Sequence, residues 1–214
     1  MARKDEGLIV VYGTMFSGKT TELHRIIKNC RWSDDQTQLF KPFIDERFST
    51  ETSQTHDEEE FKAIPIKSLA DLTRKLDKNA DFYLFDEFQF FTSNFVPYII
   101  DLVKEGKNVA VAGLPVNFRG ETYLMNDYKG NESKYSIWNL VNDADKSVHL
   151  SARCQYKYPS NKKCGKKANY CQRFLDKDMK ILAPYEDPVF KLGADDIYVA
   201  MCSEHFETPP KKKD

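Results

Sequence analysis

The chain has almost no surplus of charge: 32 Lys and Arg stand against 33 Asp and Glu in 214 residues. That balance leaves no broad cationic footprint, so nucleic acid is not an expected partner. Long hydrophobic runs are missing too. The longest apolar stretches are about five to seven residues, far short of the roughly 20 needed to cross a bilayer. No basic-then-apolar leader opens the chain and no internal period marks a repeat array, so a soluble, cytoplasmic protein without a membrane partner is expected. Cysteine is scarce and odd in number, with five in all. In that setting thiols point to a metal or to free side chains before disulfides. What is present is ordinary for a globular protein: 41% apolar and 30% charged residues, enough to fill the core of one large domain or two small ones.

The first informative stretch is "LIVVYGTMFSGKTTELHRII", from Leu8 to Ile27. Leu8 to Tyr12 is short, apolar and partly β-branched, the composition of a buried parallel strand. Beyond Thr20, Leu23, Ile26 and Ile27 recur at helical spacing. Gly13, Thr14, Met15, Phe16, Ser17, Gly18, Lys19 and Thr20 therefore join a strand to a helix, the context in which this pattern is a Walker A loop. Gly13 and Gly18 allow the backbone to curl so that its amides surround an anion at a helix N-terminus. Lys19 reaches the β- and γ-phosphates, and the Thr20 hydroxyl is a ligand for Mg²⁺.

A second strand, "DFYLFDEFQFF", runs from Asp81 to Phe91 and meets two acids near its end. Asp86 suits the magnesium-orienting position of a P-loop protein. Glu87 follows on the opposite side of the pleat and suits a general base on the acceptor. Phe88, Phe90 and Phe91 read either as core or as a stacking surface for a flat ring. Strands expected at Gln38–Phe43 and Val109–Leu114 alternate with helices at Ser68–Lys78 and Asn94–Lys104. Such alternation makes an α/β fold with a mostly parallel sheet flanked by helices, whose ligands bind at the carboxyl ends of the strands near Gly13, Asp86 and Gly113.

After about residue 150 the helical periodicities give way to lysines, turns and short apolar runs. Cys154, Cys164, Cys202 and His205 offer three thiolates and an imidazole, a set suited to tetrahedral Zn²⁺. Cys202 and His205 have the two-residue gap of a metal knuckle. Cys154 and Cys164 do not, since "QYKYPSNKK" lies between them, and Cys171 remains an alternative ligand. The expected organisation is a P-loop domain over 1–150, a zinc-binding domain over 151–207 and a disordered basic tail over 208–214.

Taken together these motifs resemble the type II, zinc-containing thymidine kinase family, nearly from end to end. "GTMFSGKTTEL" is similar to that family's phosphate loop. "KPFIDERFST" is similar to its Asp-x-Arg-Tyr segment, with Asp45 and Arg47 matching and Phe48 in place of Tyr. "THD" at Thr55–Asp57, "DEFQFF" and "AGLPVNFRGETY" also fit. The resemblance implies a RecA-type P-loop sheet followed by a small zinc ribbon carrying a lasso loop. It implies ATP:thymidine 5′-phosphotransferase activity with Mg²⁺, giving dTMP and ADP. It places the catalytic base at Glu87 and the base pocket at Phe91, Leu114 and Phe118. A lasso over thymidine falls at Leu192, Gly193 and Tyr198, and Arg173 matches an arginine near the site. A homotetramer and feedback inhibition by dTTP are implied as well. Pro115, Phe88 and Ala194 depart from the family pattern.

Arg47 and Arg173 read either as charge-neutralising groups or as surface ion pairs. His56 reads as structural, and His24 and His149 as surface or packing residues. A rival reading is a P-loop ATPase whose zinc module grips nucleic acid through "CGKKANYCQRF", against which the neutral charge and the family-like segments both count.

Overall fold

The computed structural model describes residues 6–32, 35–44, 52–54, 60–190 and 197–211. Asp45, Arg47, Phe48, Thr55, His56, Asp57, Leu192, Gly193 and Ala194 lie outside the described residues. The chain divides into two compact units: 1–12, 18–114 and 124–149 form one, and 13–17, 115–123 and 150–214 form the other.

In the first unit, the elements in chain order are β1 (Leu8–Gly13), α1 (Lys19–Trp32), β2 (Thr37–Pro42), β3 (Thr52–Gln54), β4 (Glu60–Lys62), β5 (Ile64–Ile66), α2 (Leu69–Lys75), β6 (Phe82–Phe85), α3 (Phe95–Lys104), β7 (Asn108–Gly113), α4 (Ile137–Asp143) and β8 (Lys146–Leu150). Among the described residues the main sheet has six strands in the order β5-β2-β6-β7-β1-β8. The pairs β2/β5, β2/β6, β6/β7 and β1/β7 are parallel. β6 and β7 are buried along their whole length, as the continuous apolar sequences "FYLF" and "NVAVAG" require of strands covered on both faces. Register aligns Tyr12 with Gly113 and Phe85 with both Val111 and Phe40. The residues that follow Phe85 and Gly113 therefore emerge side by side at the carboxyl edge.

Helix α1 buries Leu23, Ile26, Ile27 and Cys30. Their i, i+3, i+4, i+7 spacing forms one apolar stripe, and it packs on β7. A fully buried leucine such as Leu23 contributes about 2 kcal/mol. Leu8, Val10, Phe88, Phe91, Phe95, Ile99, Ile137 and Leu140 share one core cluster with α3 and α4. Ser68 caps α2 by accepting the Asp71 amide. That helix stops at Lys75, three residues earlier than periodicity predicts, because Leu76 turns extended and Asp77 begins a turn that accepts the Asn79 amide. α4 and β8 go beyond the elements that the apolar spacing predicts. α4 is short and begins at a capping box in which Ser136 accepts the Trp138 amide and Asn139 accepts the Ser136 amide.

In the second unit, β9 (Ala152–Arg153) pairs antiparallel with β10 (Lys167–Ala168), and β11 (Tyr170–Phe174) with β12 (Ile197–Met201). Its core is small, built from Ala152, Cys154, Ala168, Phe174, Val199, Ala200, Met201 and Cys202. The described end of the tail is packed: Pro209 is buried and the Pro210 carbonyl accepts the Tyr185 amide at 3.0 Å. Among the described residues no helix is long and apolar enough to cross a membrane.

Candidate active site and metal centre

The loop between β1 and α1 curls as its glycine content requires. Gly18 has φ of +87°, which a side chain would strain, and Phe16, 46% exposed, shares the left-handed region at 65°. Within the loop the Ser17 amide reaches the Thr14 carbonyl at 3.4 Å. Thr14 is buried, and among the described residues the buried Ser17 hydroxyl oxygen has no hydrogen-bond partner. An anion accepting from that hydroxyl would satisfy it, so the loop's own chemistry fits a phosphate.

At the carboxyl edge of the first unit, Thr20 Oγ1 donates to Asp86 Oδ2 at 2.9 Å. Asp86 is 6% exposed. Burial, then the neighbouring charge of Glu87, pushes its carboxyl up to about 6, against the opposing pull of Thr20, the Glu87 amide and Lys19. Lys41, at the end of β2, lies in the same field, and burial holds its ammonium below the usual lysine range. A desolvated carboxylate beside a hydroxyl and two lysines is short of positive charge at close range. A hard divalent cation with oxygen ligands fits that deficit.

Glu87 leaves the sheet by a route the sequence does not announce. The strand ends at Phe85, so no pleat carries Glu87 to the opposite side. Instead its backbone takes the left-handed conformation (φ 51°, ψ 44°) and starts a 3₁₀ turn over Phe88–Phe90. Its amide donates to Asp86 Oδ1 at 2.9 Å. Gln89 Nε2 donates to Glu87 Oε2 at 2.6 Å, and Gln89 Oε1 accepts the Leu114 amide at 2.9 Å. Phe88 and Phe91 both belong to the core: Phe88 packs edge-on to Phe85, and Phe91 lies 4.7 Å from Phe95. Leu114 is 9% exposed at the tip of β7.

In the second unit Phe118 sits on a tight turn, where Asn117 Oδ1 accepts the Arg119 and Glu121 amides. The Arg173 guanidinium stands 5.0 Å from the Phe118 ring centre. Arg173 is fully buried, not a surface ion pair, and it donates to the Pro188 carbonyl at 2.8 Å and to Asp187 at 3.3 Å. Arg119 donates to the Asp187 carbonyl as well. Tyr198 lies opposite Arg173 in the β11/β12 register.

The metal set closes as expected from its residue types. The donor atoms of Cys154, Cys164, Cys202 and His205 all lie within 4.8 Å of one another. His205 Nδ1 is 3.3 Å from Cys202 Sγ and 3.6 Å from Cys154 Sγ, near the edge of about 3.6 Å that Zn–S and Zn–N bonds set in a tetrahedron. The nine-residue gap is a hairpin: Lys157 faces Lys163, Asn161 turns at φ 62°, and the Cys164 amide donates to the Tyr156 carbonyl. The hairpin lays Tyr156 flat on the His205 ring, 3.9 Å away, and brings the Tyr158 hydroxyl onto the Cys164 sulfur. The Lys166 amide donates to the same sulfur and lowers the Cys164 thiol below its ordinary range, whereas burial raises Cys154. Cys171 is placed in β11 opposite Ala200 and is not in the set. His24 packs against Phe61 and His149 stacks on Tyr12, both as packing residues.

Compared with known families, residues 6–206 match the one described as thymidine kinase. The chain belongs to the thymidine kinase family. Membership makes it a kinase that phosphorylates thymidine, with thymidine and a nucleotide as its substrates, and the Cys₃His set supports a structural zinc. Two residues of this family member stand out only in three dimensions. The parallel β2/β6 pairing sets Lys41 in the field of Asp86, and Gln89 bonds Leu114, 25 residues further along the chain. Neither signal exists in local spacing, although Gln89 lies inside the "DEFQFF" segment.

Proposed function

We propose that the protein is an ATP- and Mg²⁺-dependent thymidine kinase, an ATP:thymidine 5′-phosphotransferase that yields dTMP and ADP. The amides of Gly13 to Thr20, with Met15 and Phe16 at the mouth of the loop, hold the triphosphate, and Lys19 neutralises its β- and γ-oxygens. Thr20 and Asp86 would hold the Mg²⁺, which when bound draws charge from the β- and γ-phosphate oxygens. Glu87 accepts the proton as the O5′–H bond breaks. O5′ then bonds to the γ-phosphorus, and the bond from that phosphorus to the β,γ-bridging oxygen breaks in line. Phe91, Leu114 and Phe118 line the thymine site. Leu192, Gly193 and Tyr198 form a lasso held by the zinc module, and Arg47 and Arg173 contribute positive charge, Arg173 also backing Phe118. A homotetramer in the cytoplasm, inhibited by dTTP, completes the reading, with a P-loop domain to about residue 150 and a zinc domain beyond it.

What supports it most is the contact of Thr20 with Asp86 beside Glu87 at the sheet's carboxyl edge, in a chain of this family. Turnover of labelled ATP with a nucleoside panel is the test. Thymidine should be phosphorylated, and Glu87→Gln should lower kcat by about 10²–10⁴-fold while ATP still binds. Near-normal turnover by that variant would remove Glu87 as the base. ATP hydrolysis stimulated by DNA and not by thymidine would instead favour the nucleic-acid ATPase.

A further inference from the structure

Gln89 is 3% exposed, and its side-chain amide is used at both ends. The amide orientation follows from chemistry: only its oxygen can accept from the Leu114 backbone N–H, so its nitrogen must face Glu87 Oε2. One planar group therefore bridges the turn after β6 and the tip of β7. Among the described residues the other Glu87 oxygen, Oε1, accepts no hydrogen bond. The bracket thus occupies one oxygen of the carboxylate and leaves its twin for a proton.

Room for this bracket depends on Gly113. A Cβ there would stand 3.0 Å from Gln89 Oε1 and 2.9 Å from Ile137 Cδ1. Even alanine would have to displace the amide or the isoleucine. Glu87 itself has three side-chain rotors beyond a left-handed backbone. Without the bracket nothing else described holds its carboxylate in one orientation.

We propose that Gln89 is a positioning residue that orients the Glu87 carboxylate for proton transfer, and that Gly113 serves the same end by leaving space for the Gln89 amide. The proposal rests on the reading of Glu87 as the base. Misorientation of a base lowers the chemical step and leaves nucleotide binding alone.

The test is a double-mutant cycle on the full-length, zinc-loaded protein. Gln89→Met removes both hydrogen bonds, and Gly113→Ala displaces the amide without changing it. Each should lower kcat by roughly tenfold or more, a share of the 10²–10⁴ that a general base supplies. The Kd for ATP should stay within about twofold. In a Glu87→Gln background either change should cost less than about twofold further, because the group it orients is already gone. A kcat for Gln89→Met within twofold of the parent overturns the proposal. So does a loss of equal size in both backgrounds, which marks general structural damage. Should Gln89→Met fail to fold, the milder Gly113→Ala carries the same cycle. The Glu87→Gln single variant is read first: if it turns over normally, the base assignment falls, and that result is distinct from any failure of Gln89.

Discussion

Replacing Asp86 with asparagine should stabilise the metal-free protein. Asp86 has its carboxyl raised from 3.8 to about 6, chiefly by burial. An acid with a raised value contributes stability that is fully present below its unfolded value and is lost as pH rises through the folded one. Between pH 3.8 and about 6 the folded state therefore gives up about 3 kcal/mol, and above that window the ionised side chain remains a cost. Asparagine has the same shape and no charge. Its oxygen still accepts the Thr20 hydroxyl, but its NH₂ cannot accept the Glu87 amide, which costs about 1 kcal/mol. The net gain is about 2 kcal/mol, or about 4–8 °C in Tm for a chain of this size. The assay is thermal unfolding at neutral pH with magnesium and nucleotide omitted and zinc retained, repeated towards pH 4. The advantage of Asp86→Asn should shrink through the window and vanish near its lower end. Zinc loss at acid pH affects both proteins alike and cancels in the comparison. A variant that melts at or below the parent at neutral pH, or whose advantage ignores pH, would refute the account of a desolvated charge awaiting a cation. On the proposed reading, Mg²⁺ with ATP should raise the melting temperature of the parent and leave that of Asp86→Asn unmoved.

Tyr158→Phe deletes the hydroxyl that meets the Cys164 sulfur. Zinc should pass to a chromophoric chelator about tenfold faster than from the parent, as second-layer partners of metal ligands typically govern; an unchanged release rate would deny the hairpin a part in holding the metal. Arg173→Met should lower stability by about 3 kcal/mol, because the Pro188 carbonyl and Asp187 lose a buried cation. A melting temperature within a degree of the parent would make the guanidinium dispensable for the fold.

Local patterns were legible, and long-range ones were not. The succession of strand, glycine-bearing loop and helix could be read because its parts are contiguous, and β1 and α1 emerge where the apolar spacing changes period. Ser68 announced the start of α2, and the continuous apolar run of β7 marked a buried strand. Glu87 defied the pleat rule because β6 ends at Phe85 and a left-handed residue redirects the chain. The zinc ligands Cys154 and Cys164 looked too far apart because spacing counts residues, whereas the intervening segment doubles back on itself. The choice against Cys171 needed the strand register. Gln89 stayed hidden because its second partner belongs to a different strand, and no periodicity links the two.

The left-handed turn at Glu87 also limits how the position can change. Aspartate or asparagine would find that backbone more comfortable than glutamate does. A shorter acid would relax the bend and fall one carbon short of the amide that now meets it. Selection for thermal robustness alone would thus drift towards aspartate here, and a sturdier, slower enzyme would be the result.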